Sequence, residues 1–491
     1  MRLDELFGGT ETNGVTGSMA SDISGIAYHT RQVQPGFIFV AIRGTAADGH
    51  DFVSEAIAAG AIAVASARQV AVPSNVTNVV VADTRRALAT LAARWYGEPS
   101  RTLRLVGVTG TNGKSTITYL LEAIWQAAAR SPGVVGTINV RYGGKTDPAP
   151  TTTPESLDLQ ALLRAMLAGG VQDVVMEVSS HALDQERVTG CHFDGAIFTN
   201  LTQDHLDYHG DMASYAAAKR RLFTEQLPVS CKPRPWAVIN VDDQASESMV
   251  AETHADCVVE ECRCTLDGIQ LQIATPMGRY GVTSSLCGRF NAGNILAAAT
   301  AAFAMGLSVP AIQRGIQSVA VVPGRCERVT NTAGIHVLVD YAHTPDALCN
   351  VLRAVRELGP KRIVTVFGCG GDRDPGKRPL MGTAVARGSD LAIVTSDNPR
   401  MEDPLEIIRQ ILPGLTSEGW QETAGKGRNS YAVIPDRRAA IHAALRAACS
   451  GDCVLVAGKG HEDYQIVGRE KRHFDDREVV REYFADGPRG G

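Results

Sequence analysis

A run of β-forming residues, Leu103 to Thr109, passes through Gly110-Thr-Asn-Gly113 and enters a helical pattern near Ser115. A strand that feeds a glycine turn directly into a helix belongs to parallel α/β sheets, so this stretch restricts the chain to that class. It is also built to hold a polyphosphate. Glycines let the backbone approach an anion, successive N–H groups turn inward, and the helix presents its positive end. Lys114 is spaced to reach the β/γ-phosphates, and Ser115 carries the hydroxyl such loops give to Mg²⁺. The spacing Gly107-x-x-Gly110-x-x-Gly113-Lys114-Ser115 departs from the commonest phosphate loop, because Val108 stands where its first glycine would be. The pattern points to a subclass of ATP-binding loop formed by Gly110, Thr111, Asn112, Gly113, Lys114, Ser115 and Thr116. An ordinary strand-to-helix turn is the alternative.

At 491 residues the chain exceeds one hydrophobic core, and roughly three domains of 100–200 residues are expected. Residues 1–98 read as a small α/β domain, with strands at Phe37 to Ile42, Ala61 to Ala65 and Val76 to Ala82 and helices at Asp51 to Ala59 and Thr84 to Trp95. Residues 99–325 read as a doubly wound, largely parallel sheet, with apolar strands at Leu103 to Thr109, Asp173 to Ser179, Gly195 to Asn200 and Trp236 to Val241. Residues 326–491 restart the pattern as a Rossmann-like domain, with strands at His336 to Tyr341, Arg362 to Gly368, Leu391 to Ser396 and Cys453 to Ala457. A net charge of −5 without a basic block gives no footprint for nucleic acid. No apolar run approaches the roughly 20 residues that span a bilayer, so a cytoplasmic protein without membrane insertion is expected, as a monomer. Eleven scattered cysteines with no Cys-x-x-Cys read as reduced thiols.

Functional residues in such sheets gather where strands end. Glu177 closes the apolar run Val174-Val-Met-Glu-Val, where a carboxylate needs a cation or hydrogen-bond donors. A magnesium ligand and a buried, hydrogen-bonded acid are both open. His205, in Asn200-Leu-Thr-Gln-Asp-His205, follows the next strand. In the last third, four strand-end loops should line one edge: Asp340-Tyr-Ala-His343, Gly368-Cys-Gly-Gly-Asp-Arg-Asp374, Asp397-Asn-Pro-Arg400 and Gly458-Lys-Gly-His-Glu462.

Gly110-Thr-Asn-Gly-Lys-Ser115, Met176-Glu-Val-Ser-Ser-His181, Asn200-Leu-Thr-Gln-Asp-His205, Gly288-Arg-Phe-Asn-x-x-Asn294, Pro323-Gly-Arg-x-Glu327 and Asp340-Tyr-Ala-His-Thr-Pro345 occur in this order. Together they resemble the Mur ligase family, the ATP-dependent amide-forming enzymes of peptidoglycan precursor synthesis, over essentially the whole chain. Asp397-Asn-Pro-Arg400 and Gly458-Lys-Gly-His-Glu462 are similar to the motifs of members that add meso-diaminopimelate to a UDP-muramoyl dipeptide. A lysine-adding muramoyl ligase and, more distantly, folylpolyglutamate synthase are the alternatives.

The resemblance implies ATP and Mg²⁺ as cofactors and small molecules as partners. It places Lys114, Glu177, His205 and Lys219 in catalysis, with Ser115, Glu177, His205 and Lys219 as metal ligands. Lys219 matches the family lysine that is carbamylated to N6-carboxylysine; read from the sequence alone, a helical lysine beside Arg220 and Arg221 is a solvated basic face. Nucleotide contacts carry over to Asn291, Asn294, Arg325 and Asp340, with turn or cap chemistry as the alternative for the asparagines. The UDP-sugar dipeptide maps to Tyr28, Thr30, Thr45, Ala46, Ala47, Thr152, Thr153, Ser179, Gln185 and Arg187. The family often has Asp-Ser-Arg where this chain has His29-Thr30-Arg31. Diaminopimelate maps to Arg373, Asp397, Asn398, Pro399, Arg400, Gly458 and Glu462. Arg400 offers a planar fork for the distal carboxylate, and Glu462 an acceptor for the distal ammonium.

Overall fold

A computed structural model describes residues 1–44, 47–249, 256–423 and 427–485. The chain forms two compact units, one from Met1–Gly110, Ala128–Thr199 and Ala213–Thr253, the other from Thr111–Ala127, Asn200–Met212 and His254–Gly491. Both are α/β, as the strand–loop–helix patterning requires.

In the first unit, β1 (Gly14–Thr16), β2 (Gly25–Ala27), β3 (Phe37–Val40), β4 (Ala63–Ser66) and β5 (Thr77–Val80) form a sheet ordered β1-β5-β4-β3-β2, parallel except for β1. Successive residues of β3 bury on opposite faces: Ile38 and Val40 pack with Leu88 and Leu91, and Phe39 packs with Val53 and Ala56. Two covered faces explain why these strands are apolar runs rather than alternating ones. The helix Thr84–Trp95 has its expected bounds and is capped by Asp83, which accepts the N–H groups of Arg85 and Arg86. The expected helix at Asp51 to Ala59 is shorter, a 3₁₀ turn at Gly49–Phe52 followed by the α-helix Val53–Ala58.

The second sheet of this unit comprises β6 (Arg104–Thr109), β7 (Pro132–Val135), β8 (Asn139–Tyr142), β9 (Lys145–Pro148), β10 (Asp173–Glu177), β11 (Gly195–Phe198) and β12 (Trp236–Ile239), ordered β12-β11-β6-β10-β7-β8-β9. β6 lies between β10 and β11, both parallel to it, and Glu177 is in register with Val108. Glu177 therefore ends its strand beside the exit of β6, the position where parallel sheets gather function. The edge strands β8 and β9 are antiparallel, a hairpin turning at Gly143 and Gly144 that the reading of a largely parallel sheet left out.

In the second unit the helix Lys114–Ala127 packs against Phe290–Ala304 and Val309–Ser318. β13 (Val258–Thr265), β14 (Gly268–Thr275) and β15 (Gly278–Ser284) form an antiparallel meander. Sequence patterning misses it because β13 is mostly exposed and carries no apolar alternation. The large sheet contains β16 (Glu327–Val329), β17 (His336–Asp340), β18 (Ile363–Phe367), β19 (Leu391–Val394), β20 (Gln421–Glu422), β21 (Ser430–Val433) and β22 (Cys453–Ala457), ordered β16-β17-β22-β18-β19-β21-β20 and parallel apart from β16. Leu338, Ile363 and Leu455 bury on one face and Val339, Val364 and Val454 on the other, so the sheet is doubly wound. A two-stranded hairpin, β23 (Tyr464–Val467) and β24 (Glu470–His473), follows.

Candidate active site

The phosphate loop is held by residues on both sides of it. Asn200 clamps it three ways: its carbonyl accepts the Thr111 N–H at 2.8 Å, its Oδ1 accepts the Asn112 N–H at 2.9 Å, and its Nδ2 donates to the Asn112 carbonyl at 3.1 Å. The Thr111 hydroxyl accepts the Thr202 N–H at 3.0 Å. Gly113 adopts φ of 91°, and a Cβ there would overlap the Asn294 side chain, so only glycine fits. The helix begins at Lys114, whose Nζ donates to the Thr111 carbonyl at 2.8 Å and so folds over its own loop. Asn200 lies in a motif noted from the sequence, but nothing there announced its clamping role.

Ser115 accepts a hydrogen bond from Arg325 Nη2 at 3.2 Å, and the Arg325 guanidinium stacks 5.0 Å from the Tyr341 ring. Arg325 thereby joins the loop. Asp340 accepts the N–H groups of Cys326 at 2.6 Å and Ala342 at 2.8 Å. Burial raises its pKa against the pull of Arg325 and those donors. Asn291 and Asn294 are buried within a helix, not in a turn or cap. The Asn291 amide donates to the Cys287 carbonyl at 2.7 Å and accepts from Asn294 Nδ2 at 2.9 Å. Both polar ends of its amide thus have partners within the protein.

His205 takes a left-handed backbone, φ 55°, and its Nε2 lies 3.5 Å from Asp204 Oδ2. Burial opposes ionisation of Asp204, but His205, His343 and Lys114 hold its carboxyl below the usual range. Asp204 is a charged partner that the sequence reading did not single out.

In the first unit, Glu177 is 1% exposed and accepts two hydrogen bonds from Thr137, from N–H at 3.0 Å and from the hydroxyl at 2.8 Å. Thr137 also pairs with Thr152 Oγ1 at 3.0 Å. Thr153 donates to the Glu177 carbonyl at 2.8 Å and accepts the Ser179 N–H at 3.1 Å. The acid is thus both strand-terminal and hydrogen-bonded, and Thr137 is the partner that sequence reasoning missed. Ser179 caps the short helix Ser180–Asp184. Arg187 donates to the Thr153 carbonyl at 2.9 Å and to Gln185 Oε1 at 2.7 Å, with Glu155 at 3.6 Å, so it is built into this cluster rather than lying in a surface pair.

Lys219 corrects the reading of a solvated basic face. It is 1% exposed, its Nζ donates to the Gly110 carbonyl at 2.9 Å, and it lies 4.4 Å from the Tyr215 ring. Arg220, the next residue, is exposed. The helix Met212–Arg221 turns Lys219 inward with Tyr215 and Ala218, an i, i+3, i+4 face that the adjacent arginines disguise.

Tyr28 donates to Asp158 Oδ2 at 2.6 Å, and burial, reinforced by Asp158, pushes its phenol up. Thr30 begins a 3₁₀ turn capped by His29 Nδ1, which accepts the Arg31 N–H at 3.2 Å. Thr45 and Ala46 lie outside the described residues; the Ala47 carbonyl accepts the Gly44 N–H at 2.8 Å.

The four loops at the ends of β17, β18, β19 and β22 do meet along one edge. Gly458 donates its N–H to the Asp340 carbonyl at 3.0 Å, and Gly371 donates to the Asn398 carbonyl at 2.9 Å. Gly371 passes so close to the Pro399 carbonyl that a Cβ would collide with it. Arg400, with φ of 52°, donates from Nη1 to the Gly371 carbonyl at 2.7 Å. Among the described residues Arg400 forms no ion pair. Arg373 is exposed. Glu462 Oε2 accepts from Asn398 Nδ2 at 2.9 Å. Arg378, unnoticed in the sequence, is 1% exposed and forks onto both oxygens of Glu402 at 2.9 Å, while Glu402 also receives the Asp372 N–H. Among the described residues no three histidines, cysteines or acids converge as a ready-made metal cage.

Family comparison agrees with this geometry. Residues 22–96 match the Mur ligase family catalytic domain, 108–302 the Mur ligase middle domain, and 324–460 the Mur ligase glutamate ligase domain. The chain is 50% identical to a UDP-N-acetylmuramoyl-L-alanyl-D-glutamate–2,6-diaminopimelate ligase of Geobacter metallireducens, over 99% of both chains. It is 47% identical to the protein of that name from Geobacter sulfurreducens, over 100% of both. A solved structure of a UDP-N-acetylmuramoyl-L-alanyl-D-glutamate–2,6-diaminopimelate ligase superposes with a TM-score of 0.69 at 32% identity, covering 99% of each chain. With the phosphate loop, the strand-end acid and the four-loop edge all in place, the chain belongs to the Mur ligase family.

Proposed function

We propose that this protein is an ATP-dependent amide ligase that adds meso-diaminopimelate to UDP-N-acetylmuramoyl-L-alanyl-D-glutamate, a step of peptidoglycan precursor synthesis. The observation that carries this reading is the loop edge on which Arg400, which forms no ion pair among the described residues, donates to the carbonyl of Gly371, whose N–H bonds to Asn398, itself bonded to Glu462. The names borne by the relatives support the same substrate. We assign the muramoyl substrate to residues 1–98, ATP to 99–325 and the amino acid to 326–491.

A carboxylate is a poor acyl donor, so it is first phosphorylated by ATP. The incoming amine then attacks the acyl phosphate through a tetrahedral intermediate, giving amide, ADP and phosphate. The γ-phosphate and the substrate carboxylate repel, and Lys114 with the loop N–H groups offsets that charge. The residues fit magnesium. Within the first unit Glu177 offers a buried carboxylate and Lys219, as its carbamate, would offer oxygen ligands; within the second Ser115 offers a hydroxyl at a helix N-terminus and His205 an imidazole, and this ion takes such oxygen ligands together with those of substrate phosphates. The ion supplies Lewis-acid charge neutralisation when bound. Thr137 fixes both Glu177 oxygens, and Thr153, Gln185 and Arg187 hold the dipeptide end of the substrate.

Selectivity follows from Arg400. Lysine lacks the distal carboxylate and would leave the guanidinium unmatched in a closed site, a loss of about 2–5 kcal/mol. A dipeptide substrate labelled with heavy oxygen at its acyl-donor carboxylate tests the scheme. One labelled oxygen should appear in the phosphate for every amide formed; unlabelled phosphate would refute the acyl phosphate.

A further inference from the structure

We propose that Lys459 is the positioning residue of the amino-acid-selecting loops, setting diaminopimelate affinity by orienting Asn398 and Glu462. The inference rests on the ligase reading above. Lys459 follows β22 by two residues and is 0% exposed, so it does not itself reach a substrate. Its Nζ lies 3.1 Å from Asn398 Oδ1, 3.4 Å from Glu462 Oε2 and 3.5 Å from Asp397 Oδ1. The ring of Tyr464 stands 5.6 Å away on the following hairpin.

These contacts act on Glu462 by two routes. Lys459 touches Oε2 directly, and it also fixes the Asn398 amide. Asn398 Oδ1 accepts from Lys459 and from the Ile466 N–H at 2.9 Å, which turns Nδ2 toward Glu462 Oε2 at 2.9 Å. Both contacts fall on one carboxylate oxygen, and the other is consumed by neither. Asn398 lies between Asp397, paired with Lys459, and Arg400, so the same ammonium fixes the stem of the loop that carries the guanidinium. A buried ammonium is tolerated only while such oxygens surround it. Without it, two carboxylates lose their shared counter-charge and the loops holding Glu462 and Arg400 lose their common anchor.

The test is steady-state kinetics of the full-length enzyme, varying each substrate at saturation of the other two, for Lys459→Met, Lys459→Arg, Glu462→Gln and the double variant K459M/E462Q. Removing one partner of a buried charge pair predicts at least about a tenfold rise in KM for diaminopimelate in K459M, with KM for ATP changed less than about twofold. K459R should recover most of that loss, and the double variant should lose less than the product of the two single effects, because part of the effect of Lys459 passes through Glu462. An unchanged KM for diaminopimelate, or an equal rise for all three substrates, overturns the assignment. If K459M does not fold, Asn398→Ala in the intact lysine background must raise the diaminopimelate KM selectively, and failure to do so overturns it equally. Wild-type enzyme that makes no tripeptide would instead refute the underlying ligase reading, whereas an active wild type with an indifferent K459M refutes only the role of Lys459.

Discussion

Lys114 and Lys219 are both lysines near the phosphate loop, yet their surroundings assign them different work. Lys114 folds back over the loop through the Thr111 carbonyl, placed to meet phosphate charge. Lys114→Ala should therefore lower kcat by about 10²–10³-fold, the usual cost of removing a preorganised charge-stabilising group, while circular dichroism stays native. Turnover retained in the folded variant would contradict that role. Lys219 is buried against Tyr215 and the Gly110 carbonyl, where a carbamate would supply oxygen ligands in place of a cation. Lys219→Ala should be inactive and partly rescued by a short-chain carboxylate. In parallel, carbon-labelled bicarbonate should give the wild type a carbamate resonance that the variant lacks. No rescue together with no resonance would remove the carbamate. The inward turn of Lys219 was hidden in the sequence by its arginine neighbours, because helical facing depends on where the core lies. Glu177 was legible, since a lone acid ending an apolar strand is conspicuous; Thr137, which holds it, was not, because that contact joins residues 40 positions apart.

Among elements, the phosphate loop shows how a short motif depends on distant support. Its glycines and lysine are local signals, but its shape is fixed by Asn200, which follows β11 and bonds to Thr111 and Asn112. Asn200→Ala removes the two bonds its side chain makes to the Asn112 N–H and carbonyl, and at about 1–3 kcal/mol for such a loss KM for ATP should rise roughly tenfold. KM for the amino acid should stay near the wild-type value, and a uniform effect on all substrates would mean general destabilisation instead. Strands covered on both faces were readable as apolar runs, and β22 and the helix Thr84–Trp95 fall where the sequence places them. The meander β13–β15 was not readable. Its first strand is largely exposed and charged, so its hydrogen bonding to β14, not its side-chain pattern, makes it a strand.

At the scale of the molecule, His461 contributes to the loss of stability in acid. Burial, then Arg325, Arg477 and His343, push its pKa down to about 3. Its ring centroid lies 5.0 Å from that of Tyr341, the two rings tilted by 45°. An unfolded histidine titrates near 6.5, so between about pH 6.5 and 3 the unfolded chain binds a proton that the folded one refuses. The stability this neutral ring contributes is complete above that window and is lost as pH falls through it. His461→Gln should therefore flatten the fall of Tm between pH 6.5 and pH 4 relative to wild type; parallel curves would contradict the assignment. As an amide ligase of the kind proposed, the protein should read the distal carboxylate of its amino acid through Arg400. The most direct test compares kcat/KM for meso-diaminopimelate and L-lysine, by ADP-coupled phosphate release with the tripeptide product verified by mass, in wild type and Arg400→Ala. Wild type should strongly prefer diaminopimelate, and the variant should lose most of that preference while its weak turnover of lysine changes little. A wild type that prefers lysine, or an equal fall for both amino acids in the variant, would contradict it.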